Sequence, residues 1–226
     1  MSILIKALTH GLMLVLALSI ILVLAGCGGG GGSSPVQINS FYDAYQIGTE
    51  WTYRETDPNA YVFTYTERVV GTKSINGVDC LDIERTYSNY GTSFHYYTTA
   101  SDREGVLLYD DSDISTSPGP NMSYPPFPFR DFSYTRTYDG GSITYDIRII
   151  SACTTIDTVS GHYDNAVKLE YHTSSPGYAG NYVWLVPGVG MVKRQVVQKS
   201  TGNIRTIELE SFVPKVGSGS ASIIID

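Results

Sequence analysis

The sequence predicts an all-β fold: an antiparallel meander in two similar halves, forming a half-barrel or sandwich after an N-terminal signal helix. Three observations point there. Apolar and polar residues alternate with a period of two, as in Tyr61, Phe63 and Tyr65 against Val62, Thr64 and Thr66. Turn signals such as Asn76-Gly77 and Pro187-Gly188-Val189-Gly190 separate these runs. The chain has 18 Tyr residues with abundant Thr, Val and Ile, types that suit a pleated surface. Long helical periodicity is absent outside the leader.

The leader explains itself first. Lys6 and His10 form a short basic segment, and Gly11 to Leu24 is an apolar core broken only by Ser19. That is the length and order of a signal peptide, assigned to residues 1–26. A retained transmembrane helix over Ile3 to Ala25 would be long enough to span, but Lys6, Thr9 and His10 interrupt it. The run ends in Leu24-Ala25-Gly26-Cys27, which matches the lipobox, so the chain resembles the bacterial lipoproteins. The resemblance implies that the signal peptidase cuts before Cys27, with small Ala25 and Gly26 letting it approach. It implies that Cys27 then carries a diacylglyceryl thioether and an N-acyl chain. More than one chain is what stable anchoring requires. Gly28, rather than Asp, follows the lipidated Cys. By the sorting rule of Gram-negative lipoproteins, this implies an outer membrane protein facing the periplasm or the cell surface.

Residues 27–35 are the anchor and a tether, Gly28 to Gly32, Ser33, Ser34 and Pro35. A tether of this composition has an end-to-end distance of about 15 Å. The β domain is assigned to residues 36–213, with halves at about 45–110 and 131–213, a Pro-rich connector at 111–130 and a flexible tail at 214–226.

Strands follow one another through the domain. Tyr61 to Val70 runs into the Asn76-Gly77 turn, where both residues tolerate positive φ. The return strand sets Leu81 and Ile83 on one face and Asp82 and Glu84 on the other. Phe94 to Thr99 is a further strand, in which Tyr96 and Tyr97 must face opposite ways. Asp102-Arg103-Glu104-Gly105 turns into Val106 to Tyr109. Pro118, Pro120, Pro125, Pro126 and Pro128 then exclude a central strand. The pattern restarts at Phe132 with Ile143, Tyr145, Ile147 and Ile149, and continues through Val167, Leu169 and Tyr171, Tyr182 to Val186, Met191 to Gln198, and Ile204 to Phe212. The two series match in order: Trp51-Thr52-Tyr53 with Phe132-Ser133-Tyr134, Gly77 with Gly161, and Gly105 with Gly190. A one-residue slip would exchange the faces, so matched parity supports a repeat.

The aromatic W-x-Y strand at Trp51 to Tyr53, Val69-Val70-Gly71, the Pro187 to Lys193 turn and Glu208-Leu209 together resemble a broad group of secreted bacterial lipoproteins. These are turn and core signals, and the resemblance carries no activity with it. Long antiparallel strands behind a lipid anchor are also similar in architecture to the half-barrels of lipoprotein-localisation factors, and architecture does not fix function.

The formal net charge is −7, and no basic cluster exceeds Lys193-Arg194, which argues against nucleic acid as a partner. With Cys27 committed to lipid, Cys80 and Cys153 remain, either paired as a disulfide in the oxidising periplasm or as two separate buried thiols. No Gly-x-Ser-x-Gly elbow, P-loop or dinucleotide fingerprint is present, and no catalytic residue is assigned. His162 and His172 sit at opposite ends of one strand, about 33 Å apart, too far to share a metal. Asp110-Asp111-Ser112-Asp113 lacks the Gly and distal Glu of an EF-hand. No metal or cofactor is expected. Tyr124, Phe127 and Phe129 in the connector are the candidate surface for a ligand or partner. The expected function is non-catalytic: a lipid-anchored envelope protein that binds a protein partner or an apolar ligand. The alternative is a periplasmic hydrolase or carbohydrate-active enzyme that uses scattered carboxylates. A solid core between the halves is expected, rather than a cavity.

Overall fold

The computed structural model describes residues 40–215, apart from residues 90, 92, 112–120, 128, 139–140 and 174–177. The signal peptide, Cys27, the tether and the end of the tail lie outside the described residues. Twelve strands form one antiparallel sheet: β1 (Glu50–Thr56), β2 (Val62–Ile75), β3 (Val78–Tyr87), β4 (Ser93–Ser101), β5 (Gly105–Asp111), β6 (Asn121–Tyr124), β7 (Phe132–Tyr138), β8 (Gly141–Thr158), β9 (Gly161–Thr173), β10 (Tyr178–Val186), β11 (Gly190–Gln198) and β12 (Ile204–Val213). Among the described residues no helix is long and apolar enough to cross a membrane.

The spatial order is β6-β5-β4-β3-β2-β1-β12-β11-β10-β9-β8-β7. Each strand pairs with its neighbour in sequence except at the middle, where β1 pairs with β12, and at the two open edges, β6 and β7. The sequence-matched features fall six strands apart: Trp51 lies in β1 and Phe132 opens β7, Gly77 and Gly161 follow β2 and β8, and Gly105 and Gly190 open β5 and β11.

The hairpins obey their turn chemistry. Asn76 and Gly77 have φ of 52° and 81°, the pair of positive values that a two-residue turn needs to match strand twist. At the β1–β2 turn, Asp57 Oδ1 accepts from the backbone N–H groups of Asn59 and Tyr61. Tyr61 therefore stays in the turn, 72 % exposed, and does not join the inner face that its parity with Phe63 and Tyr65 predicts. The connector is not strand-free: Asn121–Tyr124 adds β6 to an edge before Pro125 ends it, which is where prolines tolerate a strand.

The sheet curls so that strands far apart in its order meet. Tyr171 of β9 donates its hydroxyl to the Ser123 carbonyl of β6 at 2.9 Å. Ser160, between β8 and β9, donates its N–H to the Leu209 carbonyl of β12 at 3.1 Å. Inside the curl Val69, Ile83, Ile147, Leu169, Leu185 and Leu209 are fully buried, each worth about 1.5–3 kcal/mol in removed apolar surface. Residues just before β1 close one end. Phe41, Tyr42 and Ala44 are buried, and Phe41 packs on Phe127 and Phe129 with ring centroids 5.2 and 4.6 Å away. Tyr42 donates its hydroxyl to the Pro125 carbonyl. Asp102 ties this segment down by accepting from Ser40 Oγ at 2.9 Å and from the Phe41 N–H at 3.2 Å.

Candidate ligand-binding cavity

The curl does not fill solid. Its inner face keeps a cavity of about 280 Å³. Its walls include Tyr45 ahead of β1, Tyr65 and Glu67 of β2, Arg85 of β3, Tyr96 and Thr98 of β4, Val106 and Leu108 of β5, and Ser123 and Tyr124 of β6. The opposite wall carries Tyr134 of β7, Tyr145 of β8, Tyr171 of β9, Asn181 and Val183 of β10, Met191 and Arg194 of β11, and Ile207 of β12. Alternation sets the inward phase, and register shifts beside Met191 and Ser123 let β11 and β6 contribute residues of both parities; Tyr96 faces the cavity, while its neighbour Tyr97 meets Lys73 Nζ at 3.0 Å.

Two polar pairs stand among the rings. Glu67 and Arg85 are cross-strand partners of β2 and β3. Both Nη2 and Nε of Arg85 donate to Glu67 Oε1, at 2.6 and 2.9 Å. The Arg85 guanidinium lies between the rings of Tyr65 and Tyr96, 5.1 Å from each centroid. Tyr96 also hydrogen-bonds Glu67. Burial alone would lower the pKa of Arg85, but Glu67 and the two tyrosines outweigh it and raise it. On the other wall, Arg194 Nε donates to Asn181 Oδ1 at 3.0 Å.

The tyrosines are held in the neutral form. Burial pushes the pKa of Tyr45, Tyr65, Tyr96 and Tyr171 well above the usual value. Tyr124 is pushed up to about 12, chiefly by burial and then by Glu67, with Arg194 and Arg85 pulling the other way. Their hydroxyls remain donors at neutral pH. Among the described residues that line the cavity, Glu67 is the one carboxylate, and Arg85 and Tyr96 already occupy it. A paired-carboxylate mechanism needs two such groups across a cleft. This arrangement can bind and orient a molecule.

Of the connector aromatics, Tyr124 lines the cavity, with its hydroxyl 3.4 Å from Met191 Sδ. Phe127 and Phe129 pack around Phe41 instead. Cys80 is a buried free thiol, so it does not pair with Cys153. Its pKa is raised, first by burial and then by Asp79. Buried thiols of this kind pack as small apolar groups. Among the described residues no group of three or more His, Cys, Asp and Glu could hold a metal. Asp82 and His95 form a surface pair at 2.8 Å. The sequence reading did not single out Glu67, Arg85, Asn181 or Arg194. The signal was there for two of them: Glu67 shares parity with Tyr65, and Arg85 with Ile83, so both are charged residues in inward phase.

No protein-family model matches the chain, and no curated protein matches it. Solved structures do. A candidate lipoprotein of Parabacteroides distasonis is similar at 17 % identity and a TM-score of 0.46, over 77 % of this chain and 98 % of the other. A candidate exported protein with a YmcC-like fold from Bacteroides fragilis is similar at 14 % identity and a TM-score of 0.43, over 77 % and 99 %. A chain of the MucA/MucB complex of Pseudomonas aeruginosa is similar at 11 % identity and a TM-score of 0.40; the match covers 78 % of this chain and 55 % of that one.

Proposed function

We propose that this protein is a non-catalytic binding protein of the bacterial envelope, anchored by lipid on Cys27 to the outer membrane, and that the inner face of its sheet takes an apolar ligand. The observation that carries the binding reading is the tyrosine-lined cavity of about 280 Å³. Ring faces offer contact area for an apolar body, and the hydroxyls add directional donors. The occupied state of Glu67 supports a binding role over a hydrolytic one. The anchor rests on Leu24-Ala25-Gly26-Cys27.

Native mass spectrometry of protein purified from an envelope tests the reading. A retained small molecule, beyond the mass of the anchor, supports it, and Tyr96→Ala with Tyr171→Ala should release that molecule. An empty cavity in protein that co-purifies with one envelope partner would replace the ligand with a protein. Turnover of an ester or glycoside that disappears in Glu67→Gln would overturn the non-catalytic reading.

A further inference from the structure

The cavity carries a charge imbalance, and we infer from it that the ligand is a small monocarboxylate with an apolar body, its carboxylate held by Arg194. This rests on the cavity-binding reading and adds the chemical class. Among the described residues, three charged side chains line the cavity: Glu67, Arg85 and Arg194. Glu67 and Arg85 neutralise each other at 2.6 Å. Arg194 has only a neutral partner, Asn181 at 3.0 Å, and among the described residues no carboxylate forms an ion pair with it. The lining thus has one net positive charge within a chain whose formal charge is −7.

An uncompensated cation on a partly enclosed wall is costly, and a ligand anion relieves that cost. With Nε engaged by Asn181, the terminal N–H groups of the guanidinium fork are left for a planar oxyanion. Asn181 fixes the plane of the fork, since the two residues sit on paired strands. The charge count selects a carboxylate: a monoanion matches one cation, whereas a phosphate monoester carries close to two charges and leaves one unmatched. Among the described residues, the Tyr124 hydroxyl is engaged by the thioether of Met191 at 3.4 Å, a weak acceptor that a carboxylate oxygen would displace. Val183 and Ile207, the strand neighbours of Arg194, offer apolar wall for the body of the ligand. A volume of about 280 Å³ sits at the small end of ligand pockets, which sets the size class.

Isothermal titration of the full chain with octanoate, octanamide, octanol and octyl phosphate tests the inference. Octanoate should bind at least about tenfold tighter than octanamide or octanol, and tighter than octyl phosphate. Arg194→Gln should erase the preference for octanoate while the neutral probes still bind. Arg194→Lys should keep it in weakened form. The comparison among probes on the unaltered chain stands whether or not the variants fold. Equal binding of octanoate and octanamide, or a preference that survives Arg194→Gln, would overturn the carboxylate assignment and leave the cavity-binding reading intact. Tighter binding of octyl phosphate would overturn the monoanion count. Binding of none of the four would remove both.

Discussion

Arg85 and Glu67 form an ion pair on the inner wall of the curled sheet, with Nη2 and Oε1 2.6 Å apart and side chains only 29 % and 14 % exposed. Two effects oppose one another at such a site. Desolvation penalises both ions, and the close pairing with the flanking Tyr65 and Tyr96 rings offsets it. Removing one partner leaves the penalty without the offset. Glu67→Gln should therefore destabilise the fold by about 2–3 kcal/mol, read as a lower urea midpoint at unchanged slope. It should also raise the affinity of the cavity for anions, since Arg85 then joins Arg194 as an uncompensated cation. A loss below about 0.5 kcal/mol would place the pair with ordinary surface bridges.

That pair also shows what the sequence could reveal. The two inward charges are legible from parity, but their meeting is not. The Asn76-Gly77 turn sets Ile75 opposite Val78, and carrying that register unbroken along the hairpin would set Arg68 opposite Arg85. A bulge between Val69 and Gly71 shifts the register by one residue and brings Glu67 there instead. Bulges leave little local signature, so an attractive pair replaced a repulsive one for a reason the residues alone do not announce. The strand order within each series was legible because consecutive hairpins pair locally. The β1–β12 seam was not, since Trp51 meets Phe212 through tertiary closure that no local pattern encodes. The segment around Phe41 and Tyr42 has no period to read, and its role follows only from what it plugs. The cavity depends on how tightly the sheet curls, which is a property of the whole.

The proposed anchor gives the second prediction. Cys27→Ser should abolish labelling by lipid precursors and leave an unprocessed chain of higher mass, because in that proposal both the acyl transfer and the cleavage depend on the Cys27 thiol. Protein of mature size without lipid in that variant would sink the lipoprotein assignment.

His162, at the start of β9, gives a pH prediction. Its Nδ1 lies 2.7 Å from Asp157 and its Nε2 3.4 Å from Asp164. Its pKa is raised, chiefly by the hydrogen bond to Asp157, although partial desolvation pulls the other way and the two carboxylate charges add to the rise. The folded state therefore binds this proton more tightly than the unfolded chain does. The resulting stabilisation is fully present below the unfolded value of about 6.5 and is lost as pH rises through the higher folded value. An NMR titration should place the His162 midpoint above about 6.5, and Asp157→Asn should bring it down. A midpoint unmoved by Asp157→Asn would show that solvent screens the pair completely.

Gly105, where β5 begins, should be the least replaceable glycine of the inner wall. Its φ is +80°, and a Cβ placed there would lie 2.2 Å from the Tyr124 carbonyl oxygen and 2.8 Å from the Pro125 carbonyl carbon. Both obstacles are backbone, so no rotamer change relieves them. Gly105→Ala must either displace β6 or move β5, and either motion disturbs the Tyr124 side of the cavity. A cost of about 3 kcal/mol or more is expected. Gly188, in the β10–β11 turn, is the matched control: its φ is +69°, and no atom lies within 4 Å of the added Cβ. Gly188→Ala should bear only the left-handed backbone penalty, roughly 1 kcal/mol. Urea unfolding of the two variants separates steric collision from backbone strain. Equal losses in both would mean that β6 yields freely, and that the wall carrying Tyr124 is not held by its packing against β5.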